Sequence, residues 1–444
     1  MRLGIRGKNL KNKTHIKEFA KYTSFNIIAM LSVSCYIIVD TFFISYALGT
    51  YGLAALNFSI PVFGFLFGTG LMLGIGGATR YTIKKSQGDH DGANRSFTNT
   101  IILSLGFIAL LFICGSFFSS HIARLLGAND AVFEMSRIYI QVILLFSPIL
   151  MTNTILGCFI RNDGAPKLAM LAMASNSLGN IVLDYIFIFR LDMEMFGAAL
   201  ATGLSAILSL IIFFFYFLMK KNGFFLVPCK LRFQSAKRIL EIGYPAFLTE
   251  ISISIVMITF NWIILGISGN IGVAAFGVIA NILIVLIAIF NGIGQGTQPL
   301  FSRYYGKKDA RLVRLMLKYA FFLMAAVSIT FYLCILLLAN PIAGIFNSEQ
   351  NLLFQSLAVD GMRIYFSGTI FVGFNIIMMT YFAAIEKIRP AHTISYLRGF
   401  IIILPMVFLL SQIGGITGIW ISFPITEFIV AAIALVLHLH NQKS

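Results

Sequence analysis

The sequence predicts an all-α polytopic membrane protein, with twelve transmembrane helices in two six-helix bundles related by a pseudo-two-fold axis. Three observations predict it. The 444 residues are 58% hydrophobic and 11% charged, with mean hydropathy +0.89, whereas soluble globular chains carry about 25% charged residues. Twelve stretches are apolar over the roughly 20 residues that a membrane helix requires. Two motifs recur about six spans apart.

Taken in order, the spans cover 24–48, 53–78, 97–119, 136–160, 168–189, 197–219, 240–266, 271–297, 313–338, 361–385, 392–410 and 416–437. Their length and continuity call for helices rather than barrel strands, because in lipid each segment satisfies its own backbone hydrogen bonds. The first span follows a basic, polar stretch with no cleavable signal, so it serves as the insertion signal. The second is dense in small residues (Gly64, Gly68, Gly70, Gly74), as is the eighth (Gly272, Gly277), which lets helices approach closely. Pro61, Pro148, Pro245, Pro405 and Pro424 lie inside spans; each removes a backbone bond and kinks its helix, as static shape or as a hinge. The fifth span carries Asn176, Asn180 and Asp184 at intervals of four, one polar stripe on an apolar helix.

Charge sets the orientation. Of 33 lysines and arginines, 29 fall on one side of the spans, leaving only Arg124, Arg137, Arg190 and Arg363 for the other. The positive-inside rule then places both termini in the cytoplasm, which requires an even number of spans. The formal charge of +16 is therefore a topology signal, and nucleic-acid binding is not expected. Cys35, Cys114, Cys158, Cys229 and Cys334 have neither metal nor disulfide spacing. The six histidines sit at or beyond span ends, so none reads as a buried relay.

The repeat links LGIGGATRYTIKKSQGDHDGA (73–93) to NGIGQGTQPLFSRYYGKKDA (291–310), setting Gly74, Gly76 and Gly88 against Gly292, Gly294 and Gly306. It also links LAALNFSIP (53–61) to VAAFGVIAN (273–281). Six spans is an even number, so the halves run in the same direction, as in many transporters with sites at the repeat interface. The basic connection 220–238 joins them. The expected domains are 1–225, an N-terminal six-helix lobe with a cation site, and 226–444, a C-terminal six-helix lobe.

Four carboxylates lie well inside spans: Asp40, Asp184, Glu250 and Glu427. No lysine or arginine is expected at depth beside them. A buried acid must then hold a proton, hold a cation or face water. At 1.5 Å per residue, Asp40 lies roughly 12 Å, Asp184 roughly 9 Å and Thr202 roughly 8 Å below the outer ends of their helices. With Asn180 one turn deeper than Asp184, the four offer carboxylate, amide and hydroxyl oxygens at one level. These are hard ligands that suit Na+ or another hard cation, and two adjacent carboxylates also suit a shared proton. Asn153 and Asn176 are accessory candidates. Asn and Thr alone often only glue helices together. Glu250 and Glu427 lie near mid-depth in the second lobe: Glu250, following Pro245, would attract a cationic substrate or carry a second proton, and Glu427 is either a second such acid or a polar helix contact. An enzyme would need catalytic groups converging near the interface. The nearest set, Asp89, His90 and Asp91, lies in a loop matched by Gly-Lys-Lys-Asp in the second repeat.

The chain resembles the multidrug and toxic compound extrusion (MATE) family, in its MepA-like bacterial branch. The resemblance covers nearly the whole chain and rests on VDTFFISYALGTYGLAALNFSIP (39–61), the glycine repeats, IRNDGAPKLAM (160–170), NIVLDYIFIF (180–189), GAALAT (197–202) and PAFLTE (245–250). It implies two six-helix bundles forming a V around a central cavity, and a monomer in the bacterial cytoplasmic membrane. It further implies export of amphipathic or cationic small molecules in exchange for Na+ or H+, with no cofactor. By position, the family's first-lobe cation site falls on Asp40, Asn180, Asp184 and Thr202, and its second-lobe acid on Glu250. Two departures stand out. Some relatives carry an acid in span ten, where this chain has Asn375, and some carry a proline in span one, where this chain has none. The alternative is a lipid-linked oligosaccharide flippase of a related fold. Such proteins tend to line their cavity with basic residues, which these spans are not expected to hold.

Overall fold

A helix can reverse direction only where its backbone leaves the right-handed region, and among the described residues half of the positions with positive φ are glycines. The computed structural model describes residues 2–347 and 350–443, with side chains for 13–347 and 350–441. One helical run covers Arg2–Ser86 and is broken inside only at Gly49 (φ 62°, ψ −151°), which divides it into α1 (2–48) and α2 (50–86). Helix α1 has no proline and is unbroken up to that glycine. Helix α3 is His90–Phe117, and a short helix Ser119–Leu125 follows it. Helix α4 joins Phe133–Leu145 to Ser147–Asn162 across a 54° bend. Pro148 opens the second piece, where its missing N–H costs nothing. Helix α5 is Pro166–Asp184 continued by a π turn, Tyr185–Arg190, and α6 is Glu194–Leu218.

The second half repeats the plan. The run Phe233–Gly306 breaks inside at Gly269 (φ 60°, ψ −157°) into α7 (233–268) and α8 (270–306). Helix α9 is Ala310–Phe346, and α10 is Leu352–Tyr365 and Thr369–Ala384 around a 3-10 turn at Phe366–Gly368. Helix α11 (388–414) holds a π turn at Leu397–Ile401, and α12 (416–443) begins after Gly415 (φ 55°, ψ −134°). The described residues thus form twelve helices of membrane length, as expected, and contain no strand.

The repeat is visible in the backbone. Gly49 and Gly269, 220 positions apart, share one unusual conformation. Gly88 (φ 84°) and Lys308 (φ 57°) share another at the same spacing. The residues after them cap the next helices alike. Asp89 accepts from the Gly92 N–H at 2.8 Å, and Asp309 from the Leu312 N–H at 3.0 Å. This register corrects the sequence match. Gly74 and Gly76 correspond to Gly294 and Gly296, and Gly88 to Lys308 rather than Gly306. The slip of two arose because Gly-x-Gly recurs within GIGQG, and the turn in the second half falls on a lysine.

The chain packs as two compact units: Met1–Ile251 with Gly296–Val313, and Ser252–Gln295 with Arg314–Ser444. Glycines explain why pieces of α7 and α8 belong to the first unit. A side chain at Gly76 would strike the Ile239 carbonyl, and one at Gly243 the Met72 carbonyl, so α2 and α7 touch backbone to backbone. At the repeat-related position, a Cβ on Gly296 would lie 2.8 Å from Thr23 Cα of α1. The linker is pinned to the same unit. Phe225 N–H donates to Asn94 (3.1 Å) and Val227 N–H to Thr98 (3.0 Å) on α3. Phe224 is buried among Tyr81, Phe97, Phe159 and Phe217. The α4–α5 turn is locked through Asp163, which accepts from Lys85 Nζ (2.6 Å), the Tyr81 and Tyr216 hydroxyls (2.5 and 2.9 Å) and the Gly223 N–H (2.7 Å).

Candidate functional site

Small residues build the site. Gly197, near the start of α6, packs so closely on α5 that a Cβ there would lie 3.0 Å from Phe187 Cβ. A side chain at Gly179 of α5 would strike Leu208 of α6. The close approach brings Asn180 Nδ2 to 3.3 Å from Thr202 Oγ1, and the Thr202 hydroxyl lies 3.2 Å from the Ala198 carbonyl, to which it donates. Asp184 ends the α-helical part of α5, where the π turn begins; π segments are common at functional sites. Asp40 arrives from α1, with its carboxyl within hydrogen-bonding reach of that of Asp184.

All four side chains are buried, with Asp184 at 0% and Asp40 at 8% exposure. Asp40 Oδ1, both oxygens of Asp184 and Asn180 Oδ1 have no hydrogen-bond donor among the described residues. Phe43 and Tyr46 of α1 and Tyr185 and Phe189 of α5 form an aromatic cluster beyond the pair, towards Gly49. Below it, Tyr36, Phe63, Phe67, Asn153, Asn176, Asn180 and Thr202 line a cavity of about 40 Å³, enough for a water-sized occupant. The amide oxygens of Asn153 and Asn176 are also buried without partners among the described residues. An orphaned buried acceptor costs about 1–3 kcal/mol, more when charged. A concentration of orphaned oxygens is therefore expensive unless something positive visits it. The donor set, carboxylate, amide and hydroxyl, fits a hard monovalent cation or a proton.

The structure thus brings Asp40, Asn180, Asp184 and Thr202 together, with Asn153 and Asn176 adjoining. It also adds two phenols. Tyr36, one turn before Asp40, interacts electrostatically with Asp40, Asp184 and Glu250. Tyr139 of α4 is buried close to Thr202 and to both aspartates. Tyr36 was recoverable from its four-residue spacing to Asp40; Tyr139 sits on another helix and carried no local signal.

Glu250 is placed differently from the expectation of a second-lobe acid. Its Cβ lies 3.2 Å from where a side chain on Gly68 of α2 would begin, and it packs with the first unit. The expected absence of cations at depth is also corrected. Arg398 lies inside α11, and its Nε is 2.6 Å from Glu427 Oε1, while Asn375 Nδ2 donates to Glu427 Oε2 at 2.7 Å. Glu427 is a paired acid held by fixed donors rather than an open substrate carboxylate. A lack of basic residues in the spans therefore no longer speaks against a flippase, since Arg398 is one. Arg161, assigned from sequence to a loop, is in the last turn of α4 and buried, donating to Asn26 Oδ1 at 2.9 Å.

Twelve helices of membrane length, with a deep, oxygen-lined site inside the first unit, are the architecture of a membrane transporter. The chain belongs to the MatE family, whose profile matches residues 26–186 and 245–409, one block in each half. It is 26% identical over 419 residues to the multidrug export protein MepA of Staphylococcus saprophyticus, covering 92% of this chain and 90% of the relative. It is 27% identical over 415 residues to MepA of Staphylococcus aureus, with the same coverage. Its fold matches a solved multidrug resistance MATE family transporter of the MOP superfamily, in an outward-facing conformation, with TM-score 0.89. That match has 24% identity and covers 96% of this chain and 95% of the other. The protein is a multi-pass membrane transporter of the multidrug efflux class.

Proposed function

We propose that this protein is a secondary antiporter that exports amphipathic or cationic small molecules in exchange for Na+ or H+. The coupling ion is taken at Asp40, Asn180, Asp184 and Thr202. The single observation that carries this reading is the facing pair of buried aspartates, three of whose four oxygens have no donor among the described residues. With no ion pair to either aspartate among those residues, a mobile positive species is the remaining way to balance them. In the proposed cycle the ion enters from outside and neutralises the pair. Helices α1, α5 and α6 then repack, which weakens substrate binding and releases the exported molecule. Coupling of this kind is reciprocal: the substrate weakens ion binding by the same factor. The termini lie in the cytoplasm of a bacterial cell, and the working unit is the monomer. The MepA relatives, named for multidrug export, support the substrate class. The test is export of a labelled cationic dye from proteoliposomes with Na+ and H+ gradients imposed separately. One gradient should drive accumulation against the dye's own gradient; failure of both, with active protein, overturns the reading.

A further inference from the structure

The two units treat their buried charge in opposite ways. In the first, Asp40 and Asp184 face each other with three orphaned oxygens. In the second, both oxygens of Glu427 are engaged, Oε1 by Arg398 Nε at 2.6 Å and Oε2 by Asn375 Nδ2 at 2.7 Å. Asn375 donates to the Glu427 backbone carbonyl as well, at 2.9 Å. The side chains of Glu427 and Arg398 are 2% and 13% exposed. Tyr365 of α10, a further titratable group beside the pair, stacks on Phe423 at 4.1 Å.

The backbone holds the guanidinium in place. Arg398 lies within the π turn Leu397–Ile401, whose extra residue per turn changes the face that the side chain occupies. Its neighbour Gly399 lies against α7, where a Cβ would be 2.9 Å from Ser252 Cβ, so α11 sits close at this level. In the first unit a π turn also marks the fifth helix of the half, but there the acid, Asp184, precedes the turn, and its arginine, Arg190, ends it exposed over the Tyr185 ring at 5.8 Å, with no ion pair to Asp184 among the described residues. A buried ion pair is a poor stabiliser, since desolvation offsets most of its attraction. A role beyond stability is the better account of it.

We propose that Arg398 is a built-in counter-cation that occupies the Glu427 carboxylate permanently, so that exchange with a mobile cation is confined to the aspartate pair of the first unit. The proposal rests on the antiport reading above for its meaning, but its test does not require transport. Replacing Arg398 by a neutral side chain leaves Glu427 buried and uncompensated, so in a buffer whose only cations are bulky organic ones it must take a proton. Replacing Glu427 in the otherwise native protein removes a group that never exchanges.

The experiment is infrared difference spectroscopy of the purified full-length protein across a pH titration, counting carboxyl groups that change protonation. E427Q should give the same count as the native protein. R398Q should gain one carboxyl signal per molecule, R398K none, and the double variant R398Q/E427Q should lose the gained signal. If R398Q alone does not fold while the double variant does, the uncompensated Glu427 charge is again identified as the cost. Loss of a titrating signal in E427Q overturns the proposal, as does a folded R398Q that gains none. Dye export on the same preparations tests the antiport reading separately.

Discussion

Replacing Asp184 by asparagine removes one charge from the pair while keeping its shape. Two unit charges at roughly 4 Å interact by about 4 kcal/mol at the effective dielectric of a protein site. A cation seated between the aspartates loses about that much attraction in D184N, a weakening of about a thousandfold. The variant side chain can also donate to Asp40, so the pair no longer needs a visitor. The protein should therefore fold, with gradient-driven dye export abolished. Thermal stabilisation by the coupling ion reads the same quantity without transport. At a concentration one hundred times its Kd, an ion stabilises the native protein by about 2.7 kcal/mol. A thousandfold loss of affinity reduces this to less than about 0.1 kcal/mol. Normal gradient-driven export by well-expressed D184N, or undiminished stabilisation by the ion, would refute the reasoning.

Other expectations follow from the same geometry. T202V removes the hydroxyl that accepts from Asn180 Nδ2; it should weaken ion binding by about 1 kcal/mol, or five- to tenfold, and, by orphaning that buried amide, lower the melting temperature without ion by the equivalent of about 1–3 kcal/mol. G243A drives a methyl group into the Met72 carbonyl, and should destabilise the protein by about 1–3 kcal/mol, read as a lowered melting temperature in detergent. D163A strips the acceptor from Lys85, Tyr81, Tyr216 and Gly223. Lys85, the charge left behind, is 35% exposed, so the loss should be about 1–3 kcal/mol, and a melting curve indistinguishable from the native one would show that the α4–α5 turn is held by something else.

Much of this protein was written in its linear order. Uninterrupted apolar runs dictate membrane helices because lipid offers the backbone no other partner. The polar stripe Asn176, Asn180, Asp184 shares one helix, so its alignment is a matter of pitch alone. Asp40 and Thr202 could join it by depth, because distance along a membrane helix is nearly a coordinate along the bilayer normal. What depth cannot supply is rotation about each helix axis and the choice of neighbours, which depend on packing. Tertiary structure alone placed Tyr139 beside Thr202 and drew Glu250 onto Gly68 of the first unit. It alone set Arg398, through a π turn, against Glu427. Each of these rests on two helices closing over a small residue or an irregular turn, and contacts of that kind have no period for a sequence to display.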